Sequence, residues 1–308
     1  MQEFKEAARD HLADLDSLVE RGSVPRLKKL YEQAVQELEV KLAGLVRGGA
    51  APFSMQQARS MLAQAKAGLV RTSIEMGQSL NSQVIKAQEA SARSLIRSIK
   101  RMEKAASGSV VQLPIEQASR FAGVVDKRKS SLLKLHAASM AKYGAGVVGK
   151  IEQAIAMSLL KGEAGYSAVK RVAETMGQEW WKAERIVRTE TAWAYNATHA
   201  DAVGEASKAF PDLMMRWVEY VTDVTLQKMD TRVGDDSVAL HGQLARSGTY
   251  FVMPLVHPVP TMKISPSLRN QQWLFPPNRP NDRAVLQPWR PGWGWAWESI
   301  GGVRVVRK

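Results

Sequence analysis

Proline is the residue a helix interior tolerates least, at about 3 kcal/mol per position, and its placement divides this chain. Residues 53–113 and 115–210 contain no proline, whereas nine of the thirteen prolines fall between Pro254 and Pro291. All nine tryptophans lie between Trp180 and Trp297. The first two thirds of the 308 residues are therefore free to be helical, and the last third must hold short strands and extended irregular chain.

Within the proline-free spans the apolar spacing is helical. Leu27, Leu30, Tyr31, Ala34, Val35, Leu38, Leu42, Leu45 and Val46 recur at three and four residues and predict a helix over 26–47, stopped by Gly48 and Gly49. Ser54 and Gln57 form a capping-box pattern, which predicts a long helix over 55–104. Its large apolar residues are sparse and interleaved with Ala, Ser and Gln, a pattern suited to a shallow bundle or to a neighbouring subunit. Pro114 suits a first helical turn, and Leu132, Leu133, Leu135 and Met140 continue helically to an expected break at Tyr143-Gly-Ala-Gly146. A short helix over 151–160 should end at Lys161-Gly162, Ser167 should cap the next helix, and a last helix is expected over 178–208.

From Met214 the residue types change. Trp217, Tyr220 and Val221 predict a strand, and Thr249–Met253 another. The proline-rich stretch 254–291 should be irregular, and the aromatic and β-branched residues between Trp289 and Val306, punctuated by glycines, fit a closing hairpin. The expected fold class is mainly α with a small α+β C-terminal domain: an elongated helical region over 1–160, an α+β domain over 161–286, and a Trp-rich basic tail over 287–308.

Composition narrows the chemistry. With no cysteine, disulfides, Cys-ligated zinc, iron–sulfur clusters and thiol nucleophiles are excluded. The five histidines are scattered and show no metal-ligand spacing, and neither a phosphate-binding glycine loop nor a GxSxG string occurs. Glu190, Asp230, Asp235, Asp236 and His241 are the raw material for Mg²⁺ or general-base work, but Asp235-Asp236 reads better as a charge pair at a helix N-terminus. No catalytic residue, metal or cofactor is expected. The first residues lack the basic and apolar regions of a secretory signal, and no apolar run reaches the length of a membrane span.

Lys and Arg number 43 against 30 Asp and Glu, a net charge of +13 that points to polyanionic partners. Arg93, Arg97 and Arg101 recur at every fourth residue with Lys100 and Lys104 beside them, and like charges so placed repel unless something supplies negative charge. Lys127, Arg128 and Lys129 form a second cluster. Both are candidate contacts for DNA or an acidic partner. The tail interleaves basic residues with Trp289, Trp293, Trp295 and Trp297, which fits an interface better than a stacking platform for single strands.

Four strings taken in order carry a family resemblance: Arg188-Thr189-Glu190 on a helix, Asp230-x-Arg232, Leu240-x-Gly242, and Pro276-Pro277 followed by Asn281 and Arg283. Over about 160–285 the chain resembles the phage head morphogenesis family, the minor head proteins of tailed phages that include the Mu F-like proteins. Many members carry Cys or His where this chain has Gly234, Ser237, Asp282 and Ala284, so a metal or disulfide staple of that kind cannot form here. The aromatic tail is the expected substitute. The resemblance implies a virion protein, in the host cytoplasm during assembly and then in the head near the portal or inner capsid. Its partners would be the portal protein, the major capsid protein and packaged DNA, and several copies would share one particle. The alternatives are an enzyme of nuclease or transferase type using Glu190 and Asp230, and a free-standing DNA-binding helical protein.

Overall fold

A computed structural model describes residues 2–46, 53–109, 111–221, 226–229, 233–255, 257–269, 271–277, 282–300 and 303–307, the side chains at 299, 300, 303–305 and 307 excepted. The chain is mainly α, with short strands confined to its C-terminal third. The helices are α1 (Gln2–Asp16), α2 (Val24–Leu45), α3 (Met55–Ser107), α4 (Ala118–Asp126), α5 (Lys129–Leu160), α6 (Gly165–Ala206) and α7 (Asp235–Leu240). A π-helical turn, Ser17–Ser23, follows α1, and Pro114 opens a 3₁₀ turn before α4.

The capping box before α3 forms: the Gln57 backbone N–H donates to Ser54 Oγ at 3.2 Å, and the Ser54 N–H donates to Gln57 Oε1 at 2.9 Å. Two expected interruptions do not occur. α5 runs through Gly144 and Gly146, because a side chain at Gly144 would meet Ser73 Oγ at 2.4 Å; the glycine serves the close approach of α3 and does not break the helix. Likewise α6 starts at Gly165, ahead of the expected cap at Ser167, and continues without a gap into the 178–208 segment. The expected stop at Gly48-Gly49 lies outside the described residues.

The chain does not divide at residue 160. Its two compact units interleave, one comprising Met1–Arg21, Gln83–Ser130 and Arg188–Lys308, the other Gly22–Ser82 and Ser131–Val187, with boundaries inside α3 and α6. A linear division misses this because each of these long helices contributes one end to each core. The second unit is helical. It buries Leu27, Tyr31, Leu42, Met61, Leu69, Met76, Leu80, Val147 and Ile151, and the Tyr31 hydroxyl donates to the Met176 carbonyl at 2.6 Å. The sparse apolar residues of α3 are thus covered by the chain itself, apart from exposed positions such as Val70 and Ile74.

The first unit contains the strands: β1 (Met214–Val218), β2 (Leu244–Ala245), β3 (Phe251–Val252), β4 (Gln272–Trp273), β5 (Val285–Trp289), β6 (Ala296–Ile300) and β7 (Val303–Arg307). β1 is the centre of an antiparallel sheet in the order β2-β1-β5, with Trp217 opposite Leu286 and Met215 opposite Pro288. Pro288 lacks an N–H, which an edge strand tolerates. Asn196 of α6 secures that edge, accepting from the Leu286 N–H at 3.0 Å and donating to the Ala284 carbonyl at 2.9 Å. β6 and β7 form the expected hairpin, and β3 pairs with β4. One core joins α1 (Phe4, Ala7), α3 (Leu95, Ile99, Met102), α6 (Ala197, Val203), β1 and the tail.

Candidate functional site

The motif residues that lie among the described residues all fall in the first unit. Leu240, fully buried at the end of α7, packs in the core that holds Trp217. Gly242 follows with φ +83°, where its N–H donates to the Trp217 carbonyl at 2.8 Å and its carbonyl accepts from the Trp297 N–H at 2.9 Å. A side chain there would sit 2.3 Å from the Trp295 ring and 3.2 Å from Trp297. Backbone conformation and the two rings both require glycine.

Arg188 is half-buried and forks onto the Glu20 carboxylate, with Nη2 2.9 Å from Oε2. The motif residues Asp230, Arg232 and Asn281 lie outside the described residues. Arg283 pairs with Asp16 and places its guanidinium 4.9 Å from the centre of the Tyr220 ring; burial holds its pKa below the usual range. The Tyr220 hydroxyl in turn donates to Asp16 at 2.8 Å. Pro276 is buried beside Phe275, whose ring meets Trp193 edge to face at 5.2 Å, and Pro277 is half-buried. Thr189 and Glu190 are half-buried on α6.

Ser237 and Asp282, far apart in sequence, meet in space. Ser237 of α7 lies 3.1 Å from Asp282, and the same hydroxyl bonds Glu219, which follows β1; all three side chains are buried. A hydroxyl has one proton to donate, so Ser237 cannot satisfy two carboxylates; one of the pair must itself be protonated. Glu219 is that group, since burial first and the neighbouring Asp282 second push its pKa well above the ordinary 4.5. The Glu219 N–H donates to His241 Nδ1 at 3.0 Å, which places His241 in this network as an acceptor. A hydrogen-bonded clasp of Glu219, Ser237 and Asp282 therefore holds the loops for which residue types suggested only the tail.

The tail contributes as well, but from inside. Trp289, Trp293 and Trp297 are only 3%, 6% and 2% exposed, and the Trp297 indole donates to the His241 carbonyl at 2.8 Å. Trp295 is half-buried and stacks on His241 with ring centres 6.2 Å apart. Three of the four rings are buried within the unit, the packing expected of the tail as the staple's substitute, and not on an exposed surface. Of the expected exposed cations, Lys308 and the side chains of Arg304 and Arg307 lie outside the described residues.

The cationic stripe on α3 is exposed at Arg93, Arg97 and Arg101, yet most of its members have acidic partners within the chain. Arg97 bonds Asp14 at 2.8 Å, Arg101 bonds Asp10 at 2.8 Å with Glu3 at 3.8 Å, and Lys100 pairs with Glu116. Arg93 lies 3.6 Å from Glu89 and over the Phe121 ring, and Lys104 is exposed at the end of the helix. Part of the negative charge that the stripe demands comes from α1 of the same chain, through Asp10 and Asp14, and the rest from Glu89 and Glu116. Lys127 and Arg128 both bond Asp201, at 2.8 and 2.7 Å, and Lys129 bonds Asp126 at 3.1 Å.

One arrangement lies outside the expectations drawn from the sequence. His11 and His199 are fully buried with ring centres 4.8 Å apart, edge to face. Ser94 and Ser98 bond the two nitrogens of His11 at 3.0 and 2.7 Å, and burial lowers its pKa to about 3, with His199 also well below 6.5. Both rings are neutral at ordinary pH. Asp235 and Asp236 lie in the first turn of α7, Asp235 pairing with Lys228 at 2.5 Å and Asp236 accepting from the Ser265 N–H at 2.8 Å, while Asp230 is outside the described residues. Among the described residues no three His, Asp or Glu side chains form a metal-ligand group, and no helix is long and apolar enough to cross a membrane. No protein-family model, curated protein or solved structure matches the chain.

Proposed function

We propose that this chain is a minor head protein of a tailed phage or prophage-derived particle. It acts by binding, in few copies at or near the portal and inner capsid, during head assembly and genome packaging or delivery. The observation that carries the reading is the 3.1 Å contact between Ser237 and Asp282. The family resemblance assigned these two residues, 45 positions apart, to a staple between the D-x-R and proline-asparagine strings, and such a staple requires adjacency. Gly242, wedged against Trp295, supports the same reading by giving the Leu-x-Gly string a structural reason.

Mechanistically, the first unit would act as a rigid plug. The clasp, the tryptophan-lined sheet and the α1 acid–arginine pairs hold the unit's elements together before docking, which lowers the ordering entropy lost on binding. Purified chain mixed with the portal protein of the same particle should form a complex that survives gel filtration. Failure to bind either portal or major capsid protein, with the chain folded, would refute the reading.

A further inference from the structure

We infer that the groove between α4, the C-terminal end of α6 and the 246–249 turn is a docking site for the phosphate backbone of duplex DNA. The inference rests on the proposed function, whose setting in genome packaging makes DNA the polyanion at hand. The groove, about 630 Å³, lies wholly within the first unit. Gly204 allows it to form, since a side chain there would strike Ser247 Oγ at 2.6 Å and push the turn off α6.

Its charges are layered. The carboxylates lie at the bottom: Asp201 is 6% exposed and Glu205 15%. The cations rise around them, with Lys127 at 60%, Lys208 at 62%, Arg120 at 44% and Arg128 at 32% exposed. Each carboxylate is shared by two cations, Asp201 by Lys127 and Arg128, Glu205 by Arg120 and Lys208. Arg246, also exposed, stands on the turn beside them.

A solvated helix face explains only part of this. The C-terminal ends of α4 and α6 each present about half a negative charge. Arg120, Lys127, Arg128 and Lys208 exceed the two carboxylates by two charges, more than those helix ends require, and Lys127 and Lys208 stand on the solvent side. Because each carboxylate has two cationic partners, Lys127 and Lys208 can turn to a phosphate while Arg128 and Arg120 keep Asp201 and Glu205 paired. Asp201 and Glu205 are one helical turn apart, about 6 Å along the axis, close to the spacing of successive phosphates on a strand. Arg120, Lys127 and Lys208 are accompanied in the lining by glycine, valine and serine, with no aromatic ring to stack on a base, so binding here reads backbone and not sequence.

The test uses the full-length chain and a labelled duplex of arbitrary sequence, with anisotropy followed over a salt titration. Lys127→Ala with Lys208→Ala should weaken binding roughly tenfold and flatten the slope of log K against log salt by about 2, near 0.9 for each phosphate no longer neutralised. Glu205→Gln should tighten binding a few-fold, and Arg97→Ala, whose partner is Asp14, should leave it unchanged. Unchanged affinity and slope in the double variant, or equal displacement of the duplex by polyglutamate, would overturn the inference. Incorporation of the double variant into heads is a separate readout: normal incorporation with weakened DNA binding leaves the head-protein reading standing, and failed incorporation with normal DNA binding refutes the groove alone.

Discussion

Replacing Glu219 by glutamine removes a titration while keeping the shape of the clasp and a donor toward Ser237. In the folded chain the Glu219 carboxyl is buried against Asp282, and its pKa is raised well above 4.5. The sign follows directly. Below pH 4.5 both folded and unfolded chains hold this proton, and the stabilisation is fully present; as pH rises from 4.5 through the folded-state pKa, the folded protein must hold or lose a proton the unfolded chain has already released, and stability declines. At full effect the decline is about 1.4 kcal/mol per pH unit. For a cooperative unit of this size 1 kcal/mol moves the melting midpoint by about 2–4 °C. Buried His11 and His199 tilt stability in the opposite direction, but they are present in both proteins and cancel in the difference. Thermal melts of wild type and Glu219→Gln from about pH 4 to pH 8 should therefore show the wild type losing ground by about 3–5 °C per pH unit above 4.5. Parallel curves would refute the protonated clasp.

Three further outcomes follow from the same structure. Gly242→Ala should destabilise the protein by about 2–4 kcal/mol, the sum of a left-handed backbone and a collision with the Trp295 ring, measured by denaturant unfolding; a loss below about 0.5 kcal/mol would contradict the close approach. His199→Gln should blunt the acid destabilisation that begins as pH falls below 6.5, because a buried neutral histidine with a depressed pKa contributes stability present above the unfolded value and lost toward its folded one; an unchanged acid midpoint would count against it. Arg188→Ala should cost only about 1 kcal/mol, since the Arg188–Glu20 pair is 20% and 34% exposed and screened by solvent, and a loss above about 3 kcal/mol would show a fully desolvated pair.

Much of the secondary structure was legible from local chemistry. The capping box at Ser54, the strand at Trp217 and the closing hairpin each depend on residues close in sequence. What was not legible depends on contacts distant in sequence. Gly144 has the composition of a break, and only its approach to Ser73 explains why α5 continues. The repulsion along Arg93, Arg97 and Arg101 correctly demanded negative charge, yet nothing local said that α1, about ninety residues earlier, supplies part of it. A signal for the histidine pair existed: His11 shares the buried face of α1 with Phe4, Ala7 and Leu15, an unusual place for an unpartnered imidazole. Glu219 likewise stood in an apolar run, and a strand covered on both faces left it no exit to solvent.

The central claim, that this chain belongs to the particle, is tested most directly by quantitative mass spectrometry of heads purified from the producing host. The chain is expected in purified, DNA-filled heads at a small fraction of the major capsid protein and in a fixed ratio to the portal. A chain that is expressed and folded in the host but absent from purified heads and their precursors would contradict it.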